Sequence, residues 1–381
     1  MSLLGGVGGV GRVGGVGGVG GVGGVGGVGG VGGVNFTGLG NFIGGGGADS
    51  LTTSGLLIAT QSIIHTAEQD TSPLARAHTL PMSSASNLDG WDSWVRASLY
   101  LSDFLKDLKW KVDKKAQSVT LSLAGKAFYA IERPDIDLFV SQLAKMRDYQ
   151  DQRADRSAEI LSQMGFPIDY FATILGLNAA RNRFTFELIL ITQVIASHVA
   201  MVVKHHLACR RPDRLGATVM PMIPTPGHAT FPSAHATEAF AVATLLEGLL
   251  GTEAAVKHYP SVIRLKKLVF KQAERIAVNR TVAGMHYPID TWAGAALGEA
   301  IGQIILAKCT KSGSATPRHY NATDVDFSVS NFKWMLWQAK APAGAAPKVC
   351  GLARSDKAIP VTSSDLFGWL WKKSQGEFSL G

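Results

Sequence analysis

Three stretches of this 381-residue chain concentrate side chains that could hold and attack a tetrahedral oxyanion. The first runs from Lys204 to Pro212. It ends an apolar helical pattern and delivers two cations, Lys204 and Arg211, from a helix end and the turn after it. Arginine offers a planar fork and lysine a point charge to such an anion. The second runs from Pro224 to His235, where a proline-rich turn feeds a helix start. The Ser233 hydroxyl and the Ala234 amide can both donate to an oxyanion there, because the first N–H groups of a helix lack internal partners. His235 can exchange a proton with an apical oxygen. The third runs from Asn279 to Asp290. Pro288 is placed as a first helical residue, with His286 just before it and Asp290 in the first turn. Asp290 can accept the proton on one imidazole nitrogen, which leaves the other free to attack phosphorus or ligate vanadium. Arg280 adds a third cation.

Each stretch has a plainer reading when taken alone. The first fits a solvated basic helix end. Ser233 fits an N-cap, and His235 fits a hydrogen-bonded core histidine. Asp290 fits an acid that complements a helix dipole, with His286 a surface histidine. Together they supply cations, amide donors, a proton carrier and a carboxylate-oriented nucleophile.

Their order and internal spacing resemble the type 2 phosphatidic-acid phosphatase/haloperoxidase superfamily, whose pattern is K-x6-RP, then PSGH, then SR-x5-H-x3-D. Here the pattern reads Lys204 to Pro212, Pro232 to His235, and Arg280 to Asp290, inside a core from Phe184 to Leu306. The resemblance implies that Lys204, Arg211, Ser233, Ala234 and Arg280 hold the equatorial oxygens. His235 becomes the acid/base, and His286 the nucleophile or vanadium ligand, oriented by Asp290. Arg210, His205, His206 and His228 are candidates for the layer behind. Two positions depart from the pattern. Ala234 replaces a glycine and would be strained by roughly 1 kcal/mol or more if its φ were positive. Asn279 replaces a serine.

The resemblance leaves two reactions open. Phe231 in a proline-rich run ahead of the second motif, and a long helical region ahead of the first, lean towards a vanadium-dependent haloperoxidase. That enzyme would hold vanadate on His286 and oxidise halide with hydrogen peroxide. The alternative is an acid phosphatase that hydrolyses phosphate monoesters through a phosphohistidine and needs no cofactor. A third reading, from another class, is a catalytically silent scaffold that binds an anionic partner. The expected partners are a small anionic substrate, or peroxide plus halide. A homo-oligomer is compatible with all three readings.

The net charge of +8 suits anionic ligands. The basic residues form no long run and no nucleic-acid-binding spacing, so no nucleic acid is expected. Cys209, Cys309 and Cys350 are too few and too scattered for a disulfide framework or a structural zinc site, and read as free thiols. Met1 to Val34 is mostly Gly-Gly-Val triplets with little side-chain surface to bury, so residues 1–50 are expected to be a disordered tail and linker. The tail lacks the regions of a signal peptide. Leu188 to Val203 is shorter than the roughly 20 residues a membrane span needs. The expectation is therefore a protein without a membrane span that either stays in the cytoplasm or is exported by a route not legible in the sequence.

The expected fold is all-α, a helical bundle over residues 51–381. Helical spacing marks Leu56 to Ala75, a segment from Trp91 to Lys111, residues from Ile136 to Met146, Asp151 to Met164, Asp169 to Leu177 and Phe184 to Lys204. It resumes at Ser233 to Leu250, Ser261 to Val278 and Pro288 to Ala307. Gly294, Gly298 and Gly302 make the last of these close enough for another helix to pack tightly. Val119 to Leu123 alternates as one short strand. After Thr310 the chain reads as irregular and aromatic, wrapping the bundle.

Overall fold

The computed structural model describes residues 58–59, 80–311, 313–322, 332 and 351–379. The Gly-Val tail lies outside these residues, as does most of the helix expected over 56–75. Two compact units divide the chain, Met1–Ser98 and Leu99–Gly381. In the first, Ser84 caps a 3-10 turn over Ala85–Gly90 by accepting from the Ser86 amide.

The second unit is mostly helical, but the all-α expectation is corrected by a five-stranded sheet. Where one helical segment was expected, helix α1 (Ser93–Leu105) stops and strand β1 (Leu108–Asp113) begins. Strands β2 (Ser118–Leu123) and β3 (Lys126–Glu132) follow as an antiparallel meander, with Val112 opposite Val119 and Val119 opposite Ile131. The β2–β3 turn needs positive φ at both central residues, and Ala124 (47°) and Gly125 (79°) supply it. Val119, Leu121 and Leu123 alternate inward and are buried. Two three-residue strands, β5 (Arg318–Tyr320) and β6 (Leu352–Arg354), complete the order β1-β2-β3-β5-β6, with β3 and β5 parallel. Strand β4 (Ser314–Ala315) pairs separately with β7 (Ile359–Pro360).

Helices α2 (Ile136–Gln150), α3 (Arg153–Ser162) and α4 (Ile168–Leu175) come next. Asp135 caps α2 by accepting from the Leu138 amide at 2.8 Å. The core is built from α5 (Arg183–Leu207), α6 (Ala234–Leu250), α8 (Val262–Val282) and α9 (Pro288–Cys309), with a short α7 (Glu253–His258). Helix α9 is apolar on every side and therefore buried on nearly every side. Its glycine row lets α6 approach at backbone distance. A Cβ on Gly294 would lie 2.4 Å from the Ser233 carbonyl, and one on Gly298 2.3 Å from that of Thr237. The sheet fixes α9 from its other side, where the Tyr129 hydroxyl donates to the Ala293 carbonyl at 2.9 Å. The chain after Thr310 also holds regular structure, helix α10 (Asp365–Gly376), where only a wrapping segment was expected.

Helix α5 overturns the expectation that no segment could span a membrane. Together with the turn after it, it forms a stretch, Arg183–Arg214, long and apolar enough to cross one by length and composition, although most of it is buried inside the protein. The cytoplasmic placement inferred from the absence of a span loses its basis with it. Cys209 and Cys309 are buried free thiols.

Candidate active site

The structure brings the three sequence stretches together at the adjoining ends of α5, α6, α8 and α9. Lys204 occupies the last turn of α5, which Ala208 closes in the left-handed conformation (φ 51°), its amide bound to the Lys204 carbonyl. That turn sends Arg211 back towards the core. Ser233 caps α6 and is wholly buried; its amide donates to the Asp290 carbonyl at 2.9 Å, joining the second stretch to the third. Ala234 lies in the first turn of α6 and is not among the residues with positive φ. The strain foreseen for the glycine-to-alanine departure is therefore absent.

The side chains around His286 are interlocked. Asp290 Oδ2 accepts from the His286 Nδ1–H at 2.8 Å, from the Tyr287 amide at 3.2 Å and from the Thr230 hydroxyl. Thr230 Oγ1 also lies 3.1 Å from His286 Nδ1. A carboxylate only accepts, so Nδ1 carries the proton and Nε2 keeps its lone pair. That lone pair faces Arg211, whose Nη1 donates to it at 3.2 Å. Arg211 is further held by the carbonyls of His228 and Met285 at 3.1 and 3.0 Å. Lys204 Nζ rests on the carbonyls of Ala229 and Thr230 at 2.8 and 2.6 Å.

A second grouping is built around Gln163. His235 Nε2 donates to its main-chain carbonyl at 2.9 Å, and Arg280 Nη1 donates to the same oxygen at 3.1 Å. Arg280 is buried, and its Nε has no hydrogen-bond partner among the described residues.

Electrostatics follow from burial. Desolvation and the Arg280 charge push the His235 imidazole down to about 3. Desolvation first, then Arg211 and Lys204, hold His286 well below the usual histidine range. Burial pushes the Asp290 carboxyl up to about 6, against the Thr230 hydroxyl, Lys204 and Arg211. Its second oxygen, Oδ1, has no partner among the described residues. Lys204, Arg211 and Arg280 are thus buried cations, and Asp290 is the carboxylate bonded to the His286 imidazole. Isolated buried charge is costly, so the arrangement suits an anion placed among the three cations.

Of the residues placed in the layer behind, His228 reaches the site: its Nδ1 lies 3.2 Å from Arg211 Nη2, and burial with the charges of Lys204 and Arg211 pushes it down to about 4. Arg210 and His205 are exposed, and His206 packs against Trp110 instead. Sequence reasoning assigned no role to Thr230 or Gln163. Thr230 could have been found, since it lies inside the second stretch. Gln163 left no signal, because its contact to His235 is made by a main-chain carbonyl.

Residues 185–313 match the model of the PAP2 superfamily. This chain carries a PAP2 superfamily domain. Among curated proteins it is similar to decaprenylphosphoryl-5-phosphoribose phosphatase from two Mycobacterium tuberculosis strains, CDC 1551 / Oshkosh and ATCC 25618 / H37Rv. Each is 32% identical over 111 residues, covering 29% of this chain and 54% of the relative. The chain thus spans about half the length of the curated relatives it matches. Among solved structures it matches a transmembrane PAP2 type phosphatidylglycerolphosphate phosphatase from Bacillus subtilis, at 20% identity and a TM-score of 0.26, covering 45% of this chain and 92% of that one. The long apolar helix α5 removes the ground on which a cytoplasmic placement was expected.

Proposed function

We propose that the PAP2 domain hydrolyses phosphate monoesters in two steps through a phosphohistidine on His286. The observation that carries the reading is the orientation of His286: Nδ1 is tied to Asp290, and the Nε2 lone pair points at Arg211. A bound phosphate would compete for that guanidinium and so uncover the lone pair. In the first step Nε2 attacks phosphorus, the P–N bond forms, and the P–O bond to the alcohol breaks. His235 takes up a proton from the bound monoester monoanion and passes it to the leaving oxygen. In the second step water attacks phosphorus, His235 takes its proton back, and the P–N bond breaks to release phosphate. Lys204, Arg211 and Arg280 stabilise the equatorial charge, with the Ser233 hydroxyl and the Ala234 amide. Asp290, supported by Thr230, holds the imidazole tautomer and stabilises the charge that forms on it.

The named relatives are phosphatases, and this alternative therefore replaces the haloperoxidase reading, for which they offer no support. A phosphate on a lipid-linked sugar, of the kind the mycobacterial relatives' name describes, is the first substrate class to try. The test is a turnover assay with p-nitrophenyl phosphate and a lipid-linked phosphosugar, beside a bromide/peroxide assay with and without vanadate. Phosphate release that orthovanadate inhibits supports the phosphatase. Vanadate-dependent bromination without phosphate release would reverse the choice, and silence in both with tight phosphate binding would favour the scaffold.

A further inference from the structure

The sequence match begins at residue 185, yet part of the site is built by chain that precedes it. We propose that Gln163, at the end of α3, is a positioning residue for His235: its carbonyl fixes one proton on Nε2, so that Nδ1 is the atom that takes up a second proton from the bound monoester monoanion and delivers it to the leaving oxygen. This inference rests on the phosphatase reading.

A carbonyl oxygen only accepts, so the 2.9 Å contact from His235 Nε2 to the Gln163 carbonyl requires a proton on Nε2. The same oxygen takes the Arg280 Nη1–H, which fills its two lone pairs. The Gln163 side chain keeps that carbonyl in place. Its Oε1 accepts from Asn279 Nδ2 at 2.9 Å and from Arg280 Nη2 at 3.4 Å, and the main-chain N–H of Gln163 donates to the Glu159 carbonyl at 3.0 Å. Asn279 is braced in turn by Glu159 Oε2 at 2.9 Å and by Arg156 at 3.0 Å. Here the departure from the serine of the superfamily pattern gains a physical reason. The longer amide donates to both Glu159 and Gln163 while accepting from Arg156, whereas a serine hydroxyl has one proton to give. Arg153 fastens the start of the same strap, donating to the carbonyls of Val282, Val219 and Met220 at 2.8–2.9 Å. Residues 153–163 therefore reach Arg280 and His235 as one unit.

The test uses the full chain and two substrates. An acid matters most when the leaving group is poor, so a displaced acid harms phenyl phosphate more than p-nitrophenyl phosphate. Gln163→Leu should lower kcat for phenyl phosphate at least about ten times more than for p-nitrophenyl phosphate, and Asn279→Ser should give the same signature at smaller size. An equal fall on both substrates would assign Gln163 a merely structural role and overturn the proposal. A second readout needs no turnover and no variant of the strap. In a long-range proton–nitrogen-15 spectrum of the wild-type protein, with His235→Gln marking the signals, Nε2 should be the protonated nitrogen; a proton on Nδ1 instead would also overturn it. A wild-type protein inactive on both esters would sink the phosphatase reading, while the spectrum would still judge the tautomer.

Discussion

His286 and His235 lie near enough for their charges to interact, and their partners differ in charge. His286 is oriented by a carboxylate, with Thr230 and the Tyr287 amide locking that carboxylate in turn. His235 is oriented by a neutral carbonyl and lies beside Arg280. A carboxylate both aims an imidazole and stabilises positive charge on it, which suits the proposed phosphohistidine on His286. A carbonyl aims without adding negative charge, and a neighbouring guanidinium weakens the hold on a second proton, which suits the proton transfer proposed for His235. Under that proposal one ring type serves two roles because the second partner differs.

Substitutions can break this comparison at graded cost. The largest loss is expected from His286→Ala: kcat should fall by at least about 10⁴-fold on every ester, because no nucleophile remains. A residual rate within tenfold of wild type, measured by phosphate release, would place the nucleophile elsewhere. Asp290→Asn should cost roughly 10³-fold by releasing the tautomer, again irrespective of leaving group. His235→Gln should differ in kind. It should cost about 10² to 10⁴-fold on alkyl phosphates, clearly less on p-nitrophenyl phosphate, and leave phosphate binding nearly intact by calorimetry. Lost binding would make His235 part of the anion clamp rather than the acid. Thr230→Val should be milder, about tenfold in kcat, for one hydrogen bond removed from Asp290.

The smallest effect concerns stability and sharpens the electrostatic half of the contrast. His235 (to about 3), His228 (to about 4) and His286 all titrate below an unfolded histidine near 6.5. Between those values the unfolded chain binds more protons than the folded one, so stability falls as pH drops from about 6.5 towards 4. Asp290 works the other way between about 4 and 6, where its raised carboxyl favours the folded state on acidification. Because Glu238, raised to about 7 by burial, opposes the histidines as Asp290 does, the histidine share is read by difference: the urea midpoint should fall less between pH 7 and pH 5 in His235→Gln than in the wild-type protein. An equal change in both proteins would contradict a buried, neutral His235 imidazole.

The grouping around His286 was legible in the sequence, and that around His235 only in part. Lys204, Arg211, Ser233, His286 and Asp290 lie within short stretches with fixed spacing, at helix ends marked by Pro288 and the proline-rich run. Helix periodicity also located α5, α6, α8 and α9 to within a few residues, since each buries an apolar face. The sheet was mostly invisible: only the alternation of Val119 to Leu123 announced a strand. Strands β5 and β6 are three residues each, too short for any period, and β3 finds β5 across nearly 190 residues of chain. Gln163 was hidden for another reason. A main-chain carbonyl has no side-chain identity to read, and its partner Asn279 looked like a departure rather than a brace.

The most direct test of the account is to trap the covalent intermediate. The wild-type protein, mixed with phosphorus-32-labelled substrate and quenched in alkali, where a phosphoramidate survives, should carry label on the peptide containing His286 and lose it in acid. His286→Ala should carry none. Label on another residue, or turnover with no trapped phosphate in burst-phase samples, would contradict a phosphohistidine at this site.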